Sequence, residues 1–384
     1  MTIGGLWDYI NKNVPTKFVP QRSLAGYRVS IDISAVAYAK RAVARGRVID
    51  HTDVLYEDPN EKSIDEIWLS EILVFITGFL DAKITPVIVF DGEKPFLKSE
   101  TIKQRKADKD KLRAELAEIR AKASTLDILA SNKDLKTRAA TILYQLNTIP
   151  IESSKILGDF LIGLGLPCVQ GIGDAERAAS RLCAAGICAA VYSPDGDCLA
   201  HQAKYLLRGE GPKKYNEMGS GTNTFDLIVL DDVLETLGET IDRFVDGCIV
   251  GGCDYNTQLK KGLRFATAIK ELRKVGSVDG LKAKYPIEHL NYEQSKKLFA
   301  PVDYREVIDE TVSSKDFNLH PPLKPYGELF QFFGVKNLRP ETFMYAMESF
   351  PVGRDLEGCL PDIEIYVKVK KVGKPRVKKA SVKL

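Results

Sequence analysis

The chain has 384 residues, 44% of them hydrophobic, and a formal net charge of +3, a composition that suits a globular protein and excludes a disordered or collagen-like one. Its longest apolar run (72–80) is too short to span a bilayer, and the N-terminus lacks the basic start and apolar stretch of a signal peptide. Seven scattered cysteines fit neither a disulfide framework nor a zinc spacing, so an intracellular protein without a membrane partner is expected.

In chain order, YRVSIDISAVAYA (27–39) reads as a strand ending near Asp32 and running into a helix. Residues 63–83 read as a helix with Ser63 and Glu66 in capping-box spacing. ITPVIVFDG (84–92) reads as a buried strand stopped by Asp91-Gly92. Residues 97–150 form a separate, charged helical insertion: 98–113 hold seven Lys/Arg against three acids, with Lys98, Ile102, Arg105 and Lys109 along one side. It is expected to stand off the body, or else to be a solvated helical hairpin. Then follow a helix (153–167), a short strand from Cys168, a helix (173–186), a strand (187–193), and an apolar helix ending in a turn that bears Asp254. Apolar strands alternating with helices predict an α/β fold with a mainly parallel twisted sheet flanked by helices.

ELFQFFGV (328–335) reads as a core helix. The end of the chain (367–384) holds eight Lys/Arg and no acid, so the rest is net acidic. That tail is either a polyanion contact or a disordered solubilising end.

Asp32, Asp91, Asp195 and Asp197 all fall at the carboxyl ends of predicted strands, the edge where open parallel sheets bind ligands. Asp174 and Glu176 open a helix, and Asp254 lies in a turn. Singly these have structural readings: Asp174 as N-cap, Glu176 complementing a helix dipole, Asp91 and Asp195 beside turn glycines. Together they would repel one another unless a hard divalent cation such as Mg²⁺ joined them, and two such ions about 4 Å apart suit phosphodiester cleavage.

These blocks resemble the structure-specific 5′ nucleases, and the flap endonucleases most: IDISAVAY (31–38), residues 84–105, GDAERAASRLCAAG (173–186), SPDGDCLAH (193–201) and FVDGCIVGGCDY (244–255), in the family's order. The resemblance covers roughly residues 1–275. It implies a PIN-like nuclease fold with a helical arch and a helical duplex-binding region. The implied divisions are 1–96 and 151–255 for the nuclease, 97–150 for the arch, 256–345 for duplex binding and core completion, and 346–384 for a C-terminal extension with the basic tail. It implies that Asp32, Asp91, Asp174, Glu176, Asp195, Asp197 and Asp254 hold two Mg²⁺ ions, for which Mn²⁺ substitutes. Asp91 and Asp197 are catalytic on this view, with Lys98 and Arg105 on the scissile phosphate. Tyr38 stacks on a base, and Arg45, Lys260, Lys261, Gly262 and Arg264 contact DNA.

Three departures stand out. Thr2 replaces the family's usual Gly, which questions the placement of the N-terminus near the site. Asp174 replaces a usual Glu. Leu263-Arg264 replaces part of the two-glycine hairpin to which a monovalent cation binds. No Gln stands at the spacing of a sliding-clamp peptide, so clamp binding is not supported.

The expected function is Mg²⁺-dependent cleavage of DNA near single-strand/duplex junctions by a monomer, on flaps, nicks, gaps or free 5′ ends, in replication, repair or recombination. It would act in the nucleus or wherever DNA is replicated. The alternative is a weak or inactive nuclease-fold scaffold that binds DNA. A Mg²⁺-dependent phosphatase would need an Asp-x-Asp after the first strand, where Ser34 stands instead.

Overall fold

The structure, a computed structural model, describes residues 3–93, 95–125, 132–209, 223–256, 262–285, 291–314, 316–336, 338–348, 364–369 and 376–381. Its strands are β1 (Lys17–Pro20), β2 (Arg28–Asp32), β3 (Thr85–Phe90), β4 (Cys168–Gln170), β5 (Ala190–Tyr192), β6 (Tyr205–Arg208), β7 (Thr224–Val229), β8 (Glu364–Val369) and β9 (Arg376–Ser381). They form one sheet in the order β4-β3-β2-β5-β6-β7-β1-β8-β9. The five strands from β4 to β6 are parallel, and the remaining pairings are antiparallel. Connections leave β2 towards β3 and β4 on one side, while β5 and β6 lie on the other. The carboxyl ends of β2 and β5 therefore flank a topological switch point, the place where open α/β sheets form a crevice.

Side-chain alternation along the strands feeds two cores, one on each face. Val29, Ile31 and Ile88 pack with Trp68, Ile72 and Phe160 on one face. Val87, Val89 and Val191 pack with Leu182, Phe244 and Ile249 on the other. Ser30, between Val29 and Ile31, is buried and donates to the carbonyls of Ala179 and Ala190. Trp68 is fully buried and its indole N–H donates to the Ala37 carbonyl (2.8 Å), which locks the helix Glu61–Asp81 to the helix Ile33–Ile49. That longer helix starts earlier than the sequence suggests, because Asn60 and not Ser63 caps it, accepting from Ser63 N at 2.9 Å. No helix among the described residues is long and apolar enough to cross a membrane.

The charged insertion does not stand clear of the body. Its helices Ser99–Thr125 and Asn132–Gln145 bury Leu116, Ile119, Ile142 and Leu143 together with Ile49, Val54 and Leu55. Sparse apolar residues in a polar helix suffice to dock it, because each helix contributes one narrow stripe. The helix Tyr326–Phe333 buries Leu329 and Phe330, but Phe332 is 81% exposed, so it is a core helix on one side only. Part of the basic tail is ordered as the hairpin β8–β9, which extends the sheet beyond β1; its tip (370–375) and the last residues lie outside the described chain.

Candidate metal and phosphodiester site

Asp32 ends β2 and caps the next helix: Oδ1 accepts from Ala35 N (3.2 Å), and Oδ2 accepts from Ser193 Oγ (3.0 Å) across the switch point. Burial pushes its pKa up to about 7, with the charges of Asp91 and Asp195 adding to the shift. Asp91 follows β3, and its Oδ1 accepts from Ala175 N (2.8 Å) at the start of the helix Ala175–Ala184. This decides between two readings of Asp174. Asp174 sits at the N-cap position but its side chain makes no capping bond, while Asp91 accepts from the helix's first amide, Ala175 N. The Asp174 carboxylate is left to the site.

Gly92 lets this happen. A Cβ at residue 92 would lie 2.0 Å from the Gly171 carbonyl oxygen, and Gly92 N donates to Gly173 O (2.7 Å). Only a residue without a side chain allows the ends of β3 and β4 so close.

Ser193 organises the loop after β5. Its Oγ accepts from Asp195 N (3.0 Å) while donating to Asp32, and Asp195 Oδ1 accepts from Asp197 N (3.1 Å). Asp197 is buried and its Oδ1 accepts from Ile3 N (2.9 Å). The start of the chain therefore reaches the site although Thr2 departs from the family pattern. Gly4 N donates to Gly252 O, and Phe265 N donates to Gly4 O, which pins it there.

A lysine sits at the centre. Lys98 closes the short turn Phe96–Lys98, and its Nζ lies 2.7 Å from Asp174 Oδ1, 3.5 Å from Asp254 Oδ2 and 3.6 Å from Glu176 Oε1. Arg105, one side of the first insertion helix, donates from Nη2 to Asp254 Oδ1 (2.9 Å). Burial works against the Lys98 charge, but the three carboxylates outweigh it and hold its pKa well above the usual value. Burial raises Glu176 and Asp197 well above ordinary carboxylates, Asp197 further through Asp195 and Glu176. Burial likewise favours neutral Asp254, yet Lys98 and Arg105 help hold it below the usual range.

Among the described residues, no three acidic, His or Cys side chains form a ready metal cage. The donor set nevertheless fits hard cations. It is all oxygen, mostly buried, and mutually repelling, and its compensating charges among the described residues are the Lys98 ammonium in mid-cluster and the Arg105 guanidinium at Asp254. A cation drawn to the same centre would take over the charge balance that Lys98 now supplies.

Sequence reasoning missed three groups. Tyr255 is buried and donates its hydroxyl to Asp174 Oδ2. Thr101 Oγ1 donates to the Asp254 carbonyl (3.1 Å), tying the insertion to the Asp254 turn. Ser193 bridges two strand ends, as above. Tyr255 follows Asp254 directly, but only tertiary packing shows that it faces Asp174.

The remaining expected contacts scatter. Tyr38 is half exposed on the helix Ile33–Ile49, with its hydroxyl near the Asn147 carbonyl (3.4 Å). Arg45 is buried: its Nε donates to Leu143 O and its Nη1 to Glu61 Oε1, both at 2.8 Å. Beside it Arg41 is paired with Glu61 and Asp65. The structure thus uses Arg45 to join helices, and its guanidinium is not presented to solvent. Gly262 has φ +88°, a left-handed turn suited to glycine, and Arg264 is exposed and paired with Asp8 (3.3 Å). Lys260 and Lys261 lie outside the described residues.

Comparison with known proteins agrees with this geometry. Family models described as XPG N-terminal domain and XPG I-region match residues 1–112 and 165–254. Flap endonuclease 1 of Cryptosporidium muris (strain RN66) is 30% identical over 314 residues, 78% of this chain and 62% of that relative. The chain thus spans about three-fifths of that relative's length. Among solved structures, flap endonuclease-1 from Methanococcus jannaschii aligns with TM-score 0.59 and 23% identity, covering 88% of this chain and 97% of that one. The catalytic core of Rad2 in complex with DNA substrate aligns with TM-score 0.54 and 17% identity, covering 91% of this chain and all of that one. At those identities the solved structures speak for the fold. The two matched regions, the first of which runs into the first insertion helix, contain between them all seven carboxylates of the site, and the chain belongs to the XPG/flap endonuclease superfamily.

Proposed function

We propose that this protein is a divalent-metal-dependent nuclease that cuts DNA near junctions between single strand and duplex. The observation that carries the reading is the gathering of carboxylates at a switch point around Lys98, with Arg105 delivered from the insertion. The kinship with flap endonuclease 1 supports the same class of substrate, and the fold is shared with a Rad2 catalytic core in complex with DNA substrate.

Asp32, Asp91, Asp174, Glu176, Asp195, Asp197 and Asp254 would hold two Mg²⁺ ions, or Mn²⁺ in their place. Such ions supply Lewis-acid stabilisation of phosphoryl oxygens and a water that ionises near neutral pH. The chain's own residues supply the rest. Lys98, displaced from mid-cluster, and Arg105 place positive charge on the non-bridging oxygens of the scissile phosphate, where charge accumulates in the transition state. Ser193 and Tyr255 fix the orientations of Asp32 and Asp174, as hydrogen bonds behind metal ligands do. The insertion, tied to the Asp254 turn through Thr101 and Arg105, couples engagement of a single strand to the site. The target nucleotide must leave the duplex to reach the carboxylates, at a cost of a few kcal/mol that is smallest at a frayed end. Flaps, nicks and gaps are therefore favoured over intact duplex.

The test is cleavage of a labelled double-flap DNA in Mg²⁺, with a single-stranded control and Asp197→Ala. Cutting at the junction that disappears in the variant and with EDTA is expected. A folded protein that leaves flap, nick, gap and bubble substrates intact in Mg²⁺ and Mn²⁺ would overturn the reading in favour of a DNA-binding scaffold.

A further inference from the structure

Beside the carboxylates lies a second cleft of about 870 Å³. It shares Asp91, Asp174 and Tyr255 with the site, and its other walls include Phe96, Ile172, Arg177, Glu93 and Asp309. Nothing in the proposed chemistry uses these five side chains.

Three of them are unusual where they stand. Phe96 is 88% exposed and Ile172 is 52% exposed, so two large apolar side chains face solvent at one cleft. Arg177 follows Glu176 on the helix Ala175–Ala184, and its Nε is buried without a hydrogen-bond partner. Among the described residues its guanidinium has no hydrogen bond and no ion pair, although carboxylates line the same cleft. An Nε withdrawn from water and left unpaired is costly, and phosphate is a natural partner because its oxygens match the planar fork. An exposed ring is the platform on which unpaired bases stack.

We propose that this cleft receives the first unpaired nucleotide of the substrate arm, its base on Phe96 and Ile172 and its phosphate on Arg177. The assignment rests on the nucleic-acid reading above. The acidic lining argues against a simple anion site and for a ligand with a flat apolar body, a single phosphate and amino groups. Glu93 and Asp309 can accept hydrogen bonds from the exocyclic amines of such a base. The volume lies within the range of small-ligand pockets and admits one nucleotide. Position also fits: Phe96 opens the turn that Lys98 closes, so a base on Phe96 is a short step from a phosphate on Lys98. Held there, the unpaired nucleotide would be kept from re-pairing while the bond beside it is cut.

The experiment uses a duplex with a single-stranded 5′ arm carrying 2-aminopurine at the first unpaired position, bound to the full chain in Ca²⁺. A matching DNA with an abasic residue there is measured in parallel. The wild type should quench the probe and prefer the base over the abasic site by roughly tenfold, the scale of one stacked base. Phe96→Ala should lose both the quench and the preference, and at 88% exposure its truncation leaves the core untouched. Arg177→Gln should lower the slope of log affinity against log salt by about one.

A Phe96→Ala variant that keeps the quench and the abasic penalty would overturn the proposal. Junction cleavage in Mg²⁺ accompanied by that result leaves the nuclease reading intact and removes only the cleft. The converse, quench and preference as expected but no cleavage under any condition, upholds the cleft and refutes the nuclease. Absence of any binding to the armed duplex refutes both.

Discussion

Replacing Lys98 with Met removes the ammonium at the centre of the carboxylate cluster while keeping most of the side chain's length. The Lys98 side chain is 11% exposed and lies 2.7 to 3.6 Å from Asp174, Asp254 and Glu176. Coulomb attraction at 2.7 Å alone is roughly 6 kcal/mol at an effective dielectric of 20. Much of that is offset by the desolvation of the ammonium, and the stranded carboxylates can take up protons instead. Breaking a buried pair by removing one partner costs about 3–5 kcal/mol, and proton uptake points to the lower end. An unfolding entropy of about 0.8 kcal/mol/K for 384 residues converts ~3 kcal/mol into a Tm decrease of about 4 °C. The assay is calorimetry of the metal-free protein at pH 7.5, repeated at pH 5.5 and with Ca²⁺. Protonation at pH 5.5, and the divalent cation at pH 7.5, should each shrink the difference between variant and wild type. A metal-free Lys98→Met protein that melts at or above the wild type at pH 7.5 would refute the electrostatic account of the site.

In the metal-free wild type, Asp32 is raised to about 7, with burial the largest cause. The native state therefore holds a proton that the unfolded chain, near 3.9, has lost, so stability falls as pH rises from about 4 to 7. A Tm that rises across that window in EDTA would contradict this. Tyr255→Phe removes the hydroxyl that orients Asp174, and cation affinity by titration calorimetry should fall about 10- to 100-fold with little change in fold. Gly92→Ala puts a methyl 2.0 Å from the Gly171 carbonyl, so it should cost more than about 2 kcal/mol in urea unfolding, and a neutral result would mean that the strand ends part easily. Ile142→Ala empties part of the small core under the insertion, at about 2–4 kcal/mol locally. Limited proteolysis within 99–145 should accelerate well before global unfolding does, and unchanged proteolysis would show that the insertion is not a separately opening unit.

The strands and helices around the site were legible because hydrophobic periodicity is local: 27–39, 84–92 and 240–255 each carry their own pattern. The short strands β6, β7 and β1 went unread, since four to six residues give little period and their pairing is set by partners far along the chain. The insertion's docking escaped for a related reason. Its apolar stripe is thin, and its partners Ile49, Val54 and Leu55 are not sequence neighbours.

The sequence by itself determined which residue types could hold hard cations and that they fall at strand ends and helix starts. Tertiary structure decided how they are used. It left Asp174 at the helix start without a capping bond and so available to the site, and brought Asp91 to Ala175, Tyr255 to Asp174 and Ile3 to Asp197. It turned Arg45 inward to Glu61. Burial and through-space charge are properties of what packs around a side chain, and a linear pattern of charges carries neither.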